Sequence, residues 1–303
     1  MDSPSSKLSI DVAPKGRMEF GYALQIFVNG LSLSFTYALM AIGLSLVFGV
    51  LRVFNFAHGE LLMIGGYAVW VLFAANGVPF PIAAIAAAAL VAGVALTIER
   101  GFFRPTRTDP FRGFIISLGL MSVIQVIALL IFGPLNKTVP TIIPGRIEFL
   151  STSFSIQRLI LMPVTATVIA GVWFFLERTR LGRAVRACIE DREAASLQGI
   201  SQKKLSTLVM AIAGGLAGLA GGIISQGISI NAYFGANFII KAFIVVVVGG
   251  MGSIGGTMVA SLLFGFLDST ISSLINPRII ILVDVVVLLF ILAFKPRGFF
   301  GRE

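Results

Sequence analysis

Long runs of apolar residues alternate along this chain with short, densely charged stretches. Of its 37 Asp, Glu, Lys and Arg residues, 31 fall within 1–19, 99–112, 133–158, 177–204 and 295–303. Only Arg52, Glu60, Lys241, Asp268, Arg278 and Asp284 lie elsewhere. The apolar segments between them cover 20–50, 58–75, 81–98, 113–132, 159–176, 205–226, 238–250, 253–274 and 279–294. About 20 helical residues span a hydrocarbon core of roughly 30 Å. A spanning segment must also satisfy its own backbone hydrogen bonds, which leaves helices or a closed barrel. Barrel strands of about ten residues alternate apolar with polar side chains, and runs such as 81–94 and 243–248 do not alternate. The pattern therefore predicts an all-α, polytopic helical membrane protein with about 8–10 transmembrane helices. It has a polar tail over 1–19 and a single transmembrane domain over 20–303.

Composition agrees. With 57% hydrophobic residues, 12% charged residues and a mean hydropathy of +0.97, the chain lacks the charge that clothes a soluble globule. It is too apolar to be disordered. One cysteine, Cys188, excludes a disulfide framework, and one histidine, His58, leaves no histidine cluster for a metal. No cofactor is called for. The net charge of +9 does not point to nucleic acid, because cytoplasmic loops of membrane proteins carry excess Lys and Arg. The 20–50 run is far longer than the apolar core of a cleaved signal peptide, about 7–15 residues.

The same rule orients the chain. Arg100, Arg104, Arg107 and Arg112 mark one cytoplasmic loop; Arg178, Arg180, Arg183, Arg186, Arg192, Lys203 and Lys204 mark a second; Lys295, Arg297 and Arg302 mark a third. The 133–158 stretch, with three prolines and only three basic residues, reads as an external loop. Two crossings then separate the first two loops, and four the second from the third. The 20–50 segment leaves two readings: one long helix with the N-terminus outside, or two short crossings broken near Asn29-Gly30 or Thr36. Lys7, Lys15 and Arg17 favour the second, with the N-terminus inside.

Four features carry candidate chemistry. Gly250-Met251-Gly252-Ser253-Ile254-Gly255 matches a dinucleotide fingerprint in form. Its flanks are membrane-grade and residue 270, where the fingerprint's acidic partner would stand, is Thr, so it reads as a tight turn between membrane helices. Arg52-Val53-Phe54-Asn55-Phe56-Ala57-His58-Gly59-Glu60 joins two apolar segments. Ionisable groups there either line a polar path or form a surface turn. With Gln125, the residues Asn55, His58 and Glu60 are the candidates for such a path. Asp268 and Asp284 are read as helix-end charges, and Lys241 and Arg278 as side chains that snorkel to an interface. Gly214, Gly218 and Gly222 recur every fourth residue, a spacing that lets membrane helices approach closely, within the chain or between subunits.

The 177–204 stretch is the strongest feature, with 11 charges in 28 residues, seven of them positive. It is built to be helical: 181–188, then 190–200, where Glu193 and Ala194 open a short turn that Gly199 ends. Ala184, Ala187, Cys188, Ala194, Ala195, Leu197 and Ile200 form a small apolar surface among charges, suited to docking in a partner groove.

Glu193-Ala194-Ala195 followed by Gly199 resembles the cytoplasmic coupling motif of bacterial ABC importer permeases, although the motif's usual ending is replaced by Val209-Met210-Ala211-Ile212. Six blocks resemble, more narrowly, the first of the two paired permeases of branched-chain amino-acid importers. They are Tyr37–Gly43, Asn55–Glu60, Arg183–Asp191 with Ala195–Ile200, Val248–Gly255 and Pro296–Gly301. The resemblance implies a non-catalytic, multi-pass subunit of the bacterial inner membrane, forming half of a translocation path. It implies a second homologous permease, two cytoplasmic ATP-binding subunits and a periplasmic substrate-binding protein as partners, beside the lipid bilayer and without nucleic acid. Arg186, Glu190, Asp191, Glu193, Ala194, Ala195 and Gly199 would then couple to the ATPase. Related importers carry urea, short amides, or aromatic or dicarboxylic acids, so the substrate class stays open. A secondary transporter or channel driven by an ion gradient, with Asp268 and Asp284 as ion sites, is the competing class; an intramembrane enzyme lacks a nucleophile–base pair.

Overall fold

The computed structural model describes residues 15–107, 109–149 and 152–301. Residues 1–14 of the 1–19 tail, with Lys7, and residues 302–303 lie outside the described residues, while 15–19 form the start of the first helix. Eleven α-helices are found among those described: α1 (Lys15–Leu51), α2 (His58–Val69), α3 (Phe80–Ile98), α4 (Pro110–Phe132), α5 (Ile156–Arg178), α6 (Arg180–Glu190), α7 (Arg192–Leu197), α8 (Gln202–Ile224), α9 (Phe234–Gly249), α10 (Ile254–Leu274) and α11 (Ile280–Phe294). A two-stranded antiparallel hairpin, β1 (Arg146–Phe149) and β2 (Thr152–Ser155), forms within the expected external loop. Eight helices are long and apolar enough to cross a membrane. The shorter apolar α9 has 16 residues, about 24 Å at 1.5 Å per residue.

The core lies where α8 packs on α1, α2 and α3, and where α1 runs along α10. Small residues set these distances. A Cβ on Gly65 of α2 would sit 2.6 Å from the Cα of Gly218 on α8. Gly214 and Gly218 also face Ala95, Ala87 and Val91 of α3, and Gly222 faces Val69 of α2. The glycine stripe is therefore intrachain packing. By contrast, α4, α5 and α11 leave most of their apolar surface exposed, as lipid-facing helices do.

The 20–50 segment is one continuous helix, which corrects the two-crossing reading. Thr36 does not break it, because its hydroxyl donates to the Ser32 carbonyl at 2.9 Å within the helix. Gly30 admits the Phe266 ring of α10. At one end of α1, Ser269 Oγ donates to the Ile26 carbonyl at 2.7 Å, Tyr22 donates to the Ser273 carbonyl and Arg158 to Asn29. At the other end, Gly49 lies against Ile189 of α6 and Gly252. The ends of α1 thus lie on opposite faces. Its start lies opposite the basic 177–204 segment, not on the same side.

The glycine-rich motif after α9 is the expected tight turn. Gly250 and Gly252 adopt φ of 100° and 84°, conformations that favour glycine. The C-terminal segment docks on this turn: Phe299 N donates to the Val248 carbonyl at 2.8 Å and Phe300 N to that of Gly249 at 3.2 Å.

Candidate functional site

The linker after α1 begins with Arg52, exposed and left-handed at φ 54°, which ends the helix and keeps its charge at the surface. The chain then turns inward, and Asn55, His58 and Glu60 are all buried. This stretch is therefore half surface turn and half buried polar element. Glu60, in the first turn of α2, receives a 2.8 Å hydrogen bond from Gln125 Nε2 of α4 at Oε1. Its Oε2 has no hydrogen-bond partner among the described residues. Along the same seam, Ser117 Oγ of α4 donates to the Phe54 carbonyl at 3.1 Å and accepts from Phe56 N at 3.2 Å. Further along, Tyr67 stacks on Phe132 with ring centroids 4.0 Å apart. Glu60 and Tyr67, like Gln125 and Phe132, are seven residues apart, so α2 and α4 run parallel with two turns in register.

Asn55 belongs to a separate corner, beside Phe48, Phe54, Phe56 and Phe243, and its amide has no partner among the described residues. His58 does not line the Glu60–Gln125 seam, because two helical residues later the chain faces away. Its ring packs on Gly43 of α1 near the Ala213 carbonyl of α8. It lies in the α1–α2–α8 core, apart from the Glu60–Gln125 pair.

Sequence reasoning missed the second polar centre. Lys241 of α9 does not snorkel: it is 9% exposed, and its ammonium donates to Asp268 Oδ1 of α10 at 2.8 Å and to Asp284 of α11. Tyr37 of α1 donates to Asp268 Oδ2 at 2.6 Å. The Tyr37 and Phe264 rings flank the ammonium, with centroids 5.1 and 4.8 Å away. The two aspartates are thus neither helix-end charges nor open sites but partners of one cation joining four helices. The only advance signal was their lone occurrence, with opposite signs, in successive apolar segments. Arg278 is exposed.

At the basic end of the bundle, α6 and α7 form the charged hairpin. Thr179 caps α6 through Gly182 N at 2.9 Å. Asp191 caps α7, its Oδ1 accepting from Glu193 N at 2.8 Å and Ala194 N at 3.0 Å. Gly199, at φ 81°, ends it, with Ile200 N returning to the Ala195 carbonyl at 3.1 Å. Arg186 pairs with Glu177; Glu190, Glu193, Ala194 and Gly199 are exposed. The apolar surface is divided rather than single. Cys188 and Ala195 are buried against the chain itself. Leu197 is 87% exposed and Leu181 52%. Burial pushes the Cys188 thiol above its usual range, opposed by its hydrogen bond to Gln202.

Residues 26–294 match the family model described as branched-chain amino acid transport system / permease component. The chain belongs to this family. Relatives of this permease include the high-affinity branched-chain amino acid transport system permease protein BraD of Pseudomonas aeruginosa, 33% identical over 305 residues, covering 94% of this chain and 97% of that one. The corresponding protein LivH of Escherichia coli K12 is 32% identical over 300 residues at the same coverage. A solved structure, PsaBC from Streptococcus pneumoniae in complex with Fab, shares the fold at a TM-score of 0.52 and 16% identity, over 94% of this chain and 95% of that one. The protein is a multi-pass membrane permease component.

Proposed function

We propose that this permease is one half of the translocation path of an ATP-driven ABC importer for branched-chain amino acids in the bacterial inner membrane. It catalyses no reaction itself. Two cytoplasmic ATPases drive it, a second homologous permease completes the path and a periplasmic binding protein delivers the solute. The single observation that carries this reading is the α6–α7 hairpin: a capped, glycine-terminated helix presenting Leu197 among charges outside the membrane. That surface suits a groove in an ATP-hydrolysing partner. The substrate is supported by the relatives' names, urea or small carboxylic acids being the alternative cargo.

Glu60 and Gln125 are the polar elements proposed for the path, with Asn55 nearer its cytoplasmic end. Because α4 is thinly packed, a shift between α2 and α4 would part the Glu60–Gln125 pair and free both groups for the solute's ammonium and carboxylate. ATP binding would favour one arrangement through differential contacts at the hairpin. An ion-gradient carrier would need Asp268 and Asp284 as ion sites, and both are engaged by Lys241.

The test is uptake by the complex in proteoliposomes. Deleting 190–199 should abolish ATP hydrolysis stimulated by loaded binding protein while leaving the membrane domain folded. Glu60→Gln should slow uptake and leave that stimulation intact. Uptake that ignores ATP and follows an ion gradient would refute the proposal.

A further inference from the structure

One buried carboxylate on the cytoplasmic side belongs to neither polar centre described above. Glu99 is fully buried where α3 passes into the π-helical turn Glu99–Phe103. Arg107, from the loop that follows, pairs with Glu99 Oε1 and also donates to Ser206 of α8. Thr207, the next residue of α8, donates to Glu99 Oε2 at 3.0 Å and accepts from Arg104 at 3.1 Å. Both carboxylate oxygens are therefore spent on fastening α3 to the first turns of α8.

Those turns are themselves fastened to the hairpin. Gln202, the first residue of α8, donates to the Arg192 carbonyl of α7 at 2.9 Å and accepts from Cys188 Sγ of α6 at 3.0 Å. A hydrogen-bonded chain of side chains and backbone carbonyls thus runs from α6 and α7 to Gln202, whose own carbonyl accepts from Ser206 Oγ at 3.0 Å, and on through Ser206 and Thr207 to Glu99 and the base of α3. Coupling between sites travels through contiguous, packed and hydrogen-bonded groups of this kind.

We propose that Glu99 is a positioning residue for energy coupling: it locks α3 to α8 so that displacement of the α6–α7 hairpin moves both helices as one body. This rests on the importer reading above. Without the lock, α8 would still follow the hairpin through Gln202, while the base of α3, beyond the Gly214–Ala95 contact, lagged behind. ATP would then be hydrolysed without a matching opening of the path.

The experiment compares wild-type, Glu99→Gln and Thr207→Val complexes, each purified whole with its ATPases and reconstituted with binding protein and leucine. ATP hydrolysed is measured per leucine taken up. Glu99→Gln should keep assembly and stimulated hydrolysis while the ratio rises about tenfold, within the usual range of inter-site coupling. Thr207→Val, which removes one donor at nearly constant shape, should raise it less, and it decides the question should Glu99→Gln fail to assemble. Hydrolysis and uptake that fall together at an unchanged ratio would overturn the inference and leave the importer reading standing. A wild-type complex with no ATP-dependent uptake would bring down both.

Discussion

Replacing Lys241 by methionine tests how the membrane domain is held together. Methionine preserves most of the volume and removes the charge. The Lys241 ammonium lies 2.8 and 2.7 Å from the two Asp268 oxygens and also binds Asp284, all with little or no exposure. In the variant two carboxylates face each other without a counter-ion. Breaking one buried ion pair by removing a partner costs about 3–5 kcal/mol. At ~2–4 °C per kcal/mol for domains of a few hundred residues, the midpoint should fall by about 6–20 °C. The assay is size-exclusion chromatography of the detergent-solubilised protein after graded heating. A second variant, Lys241→Met/Asp268→Asn/Asp284→Leu, should recover most of the loss, because replacing a whole buried ion cluster by well-packed neutral groups is often near neutral. The amide oxygen introduced by Asp268→Asn would still accept from Tyr37. A Lys241→Met midpoint within about 2 °C of wild type, or a triple variant no better than the single one, would refute the reasoning.

Other expectations follow from the geometry. Asp191→Ala removes the cap of α7 at a cost of about 1 kcal/mol, roughly fivefold in the equilibrium between ordered and frayed turn; stimulated ATP hydrolysis should fall, by up to that factor, with the yield of folded protein unchanged. Gly65→Leu would drive a side chain into the Gly218 backbone, and chromatography should show aggregated rather than monodisperse protein. Cys188 should react slowly with maleimide in the folded protein at neutral pH. Burial raises its pKa, so the reactive thiolate is scarce there and grows as pH rises through the shifted value; unfolding in dodecyl sulfate should release full labelling at once. Rapid labelling of the folded protein at neutral pH would contradict that placement.

Much of this architecture was legible along the chain because the bilayer imposes it locally. Apolar length marks a span, clustered Lys and Arg mark the loops between spans, and Asp191 and Gly199 bracket a turn whose hydrogen bonds all close within ten residues. What escaped depends on contacts between distant elements. Whether Asn29-Gly30 bends the chain is decided by Phe266, more than 230 residues away. The Lys241 centre has no fixed spacing, since three helices contribute one charge each and packing alone brings them together. His58 and Glu60, two residues apart, were assigned one role, yet helical geometry sends them to different neighbours. Ala195 carries the coupling-motif resemblance, but its side chain turns into the hairpin's own core.

The most direct test of the account is affinity purification of this tagged permease from its native membrane, with identification of what remains bound. Recovery of a homologous permease and two ATP-binding subunits, in a complex whose ATP hydrolysis is stimulated by a loaded periplasmic binding protein, is the predicted result. Recovery of this chain alone or as a homomer, with transport that ignores ATP, would contradict it.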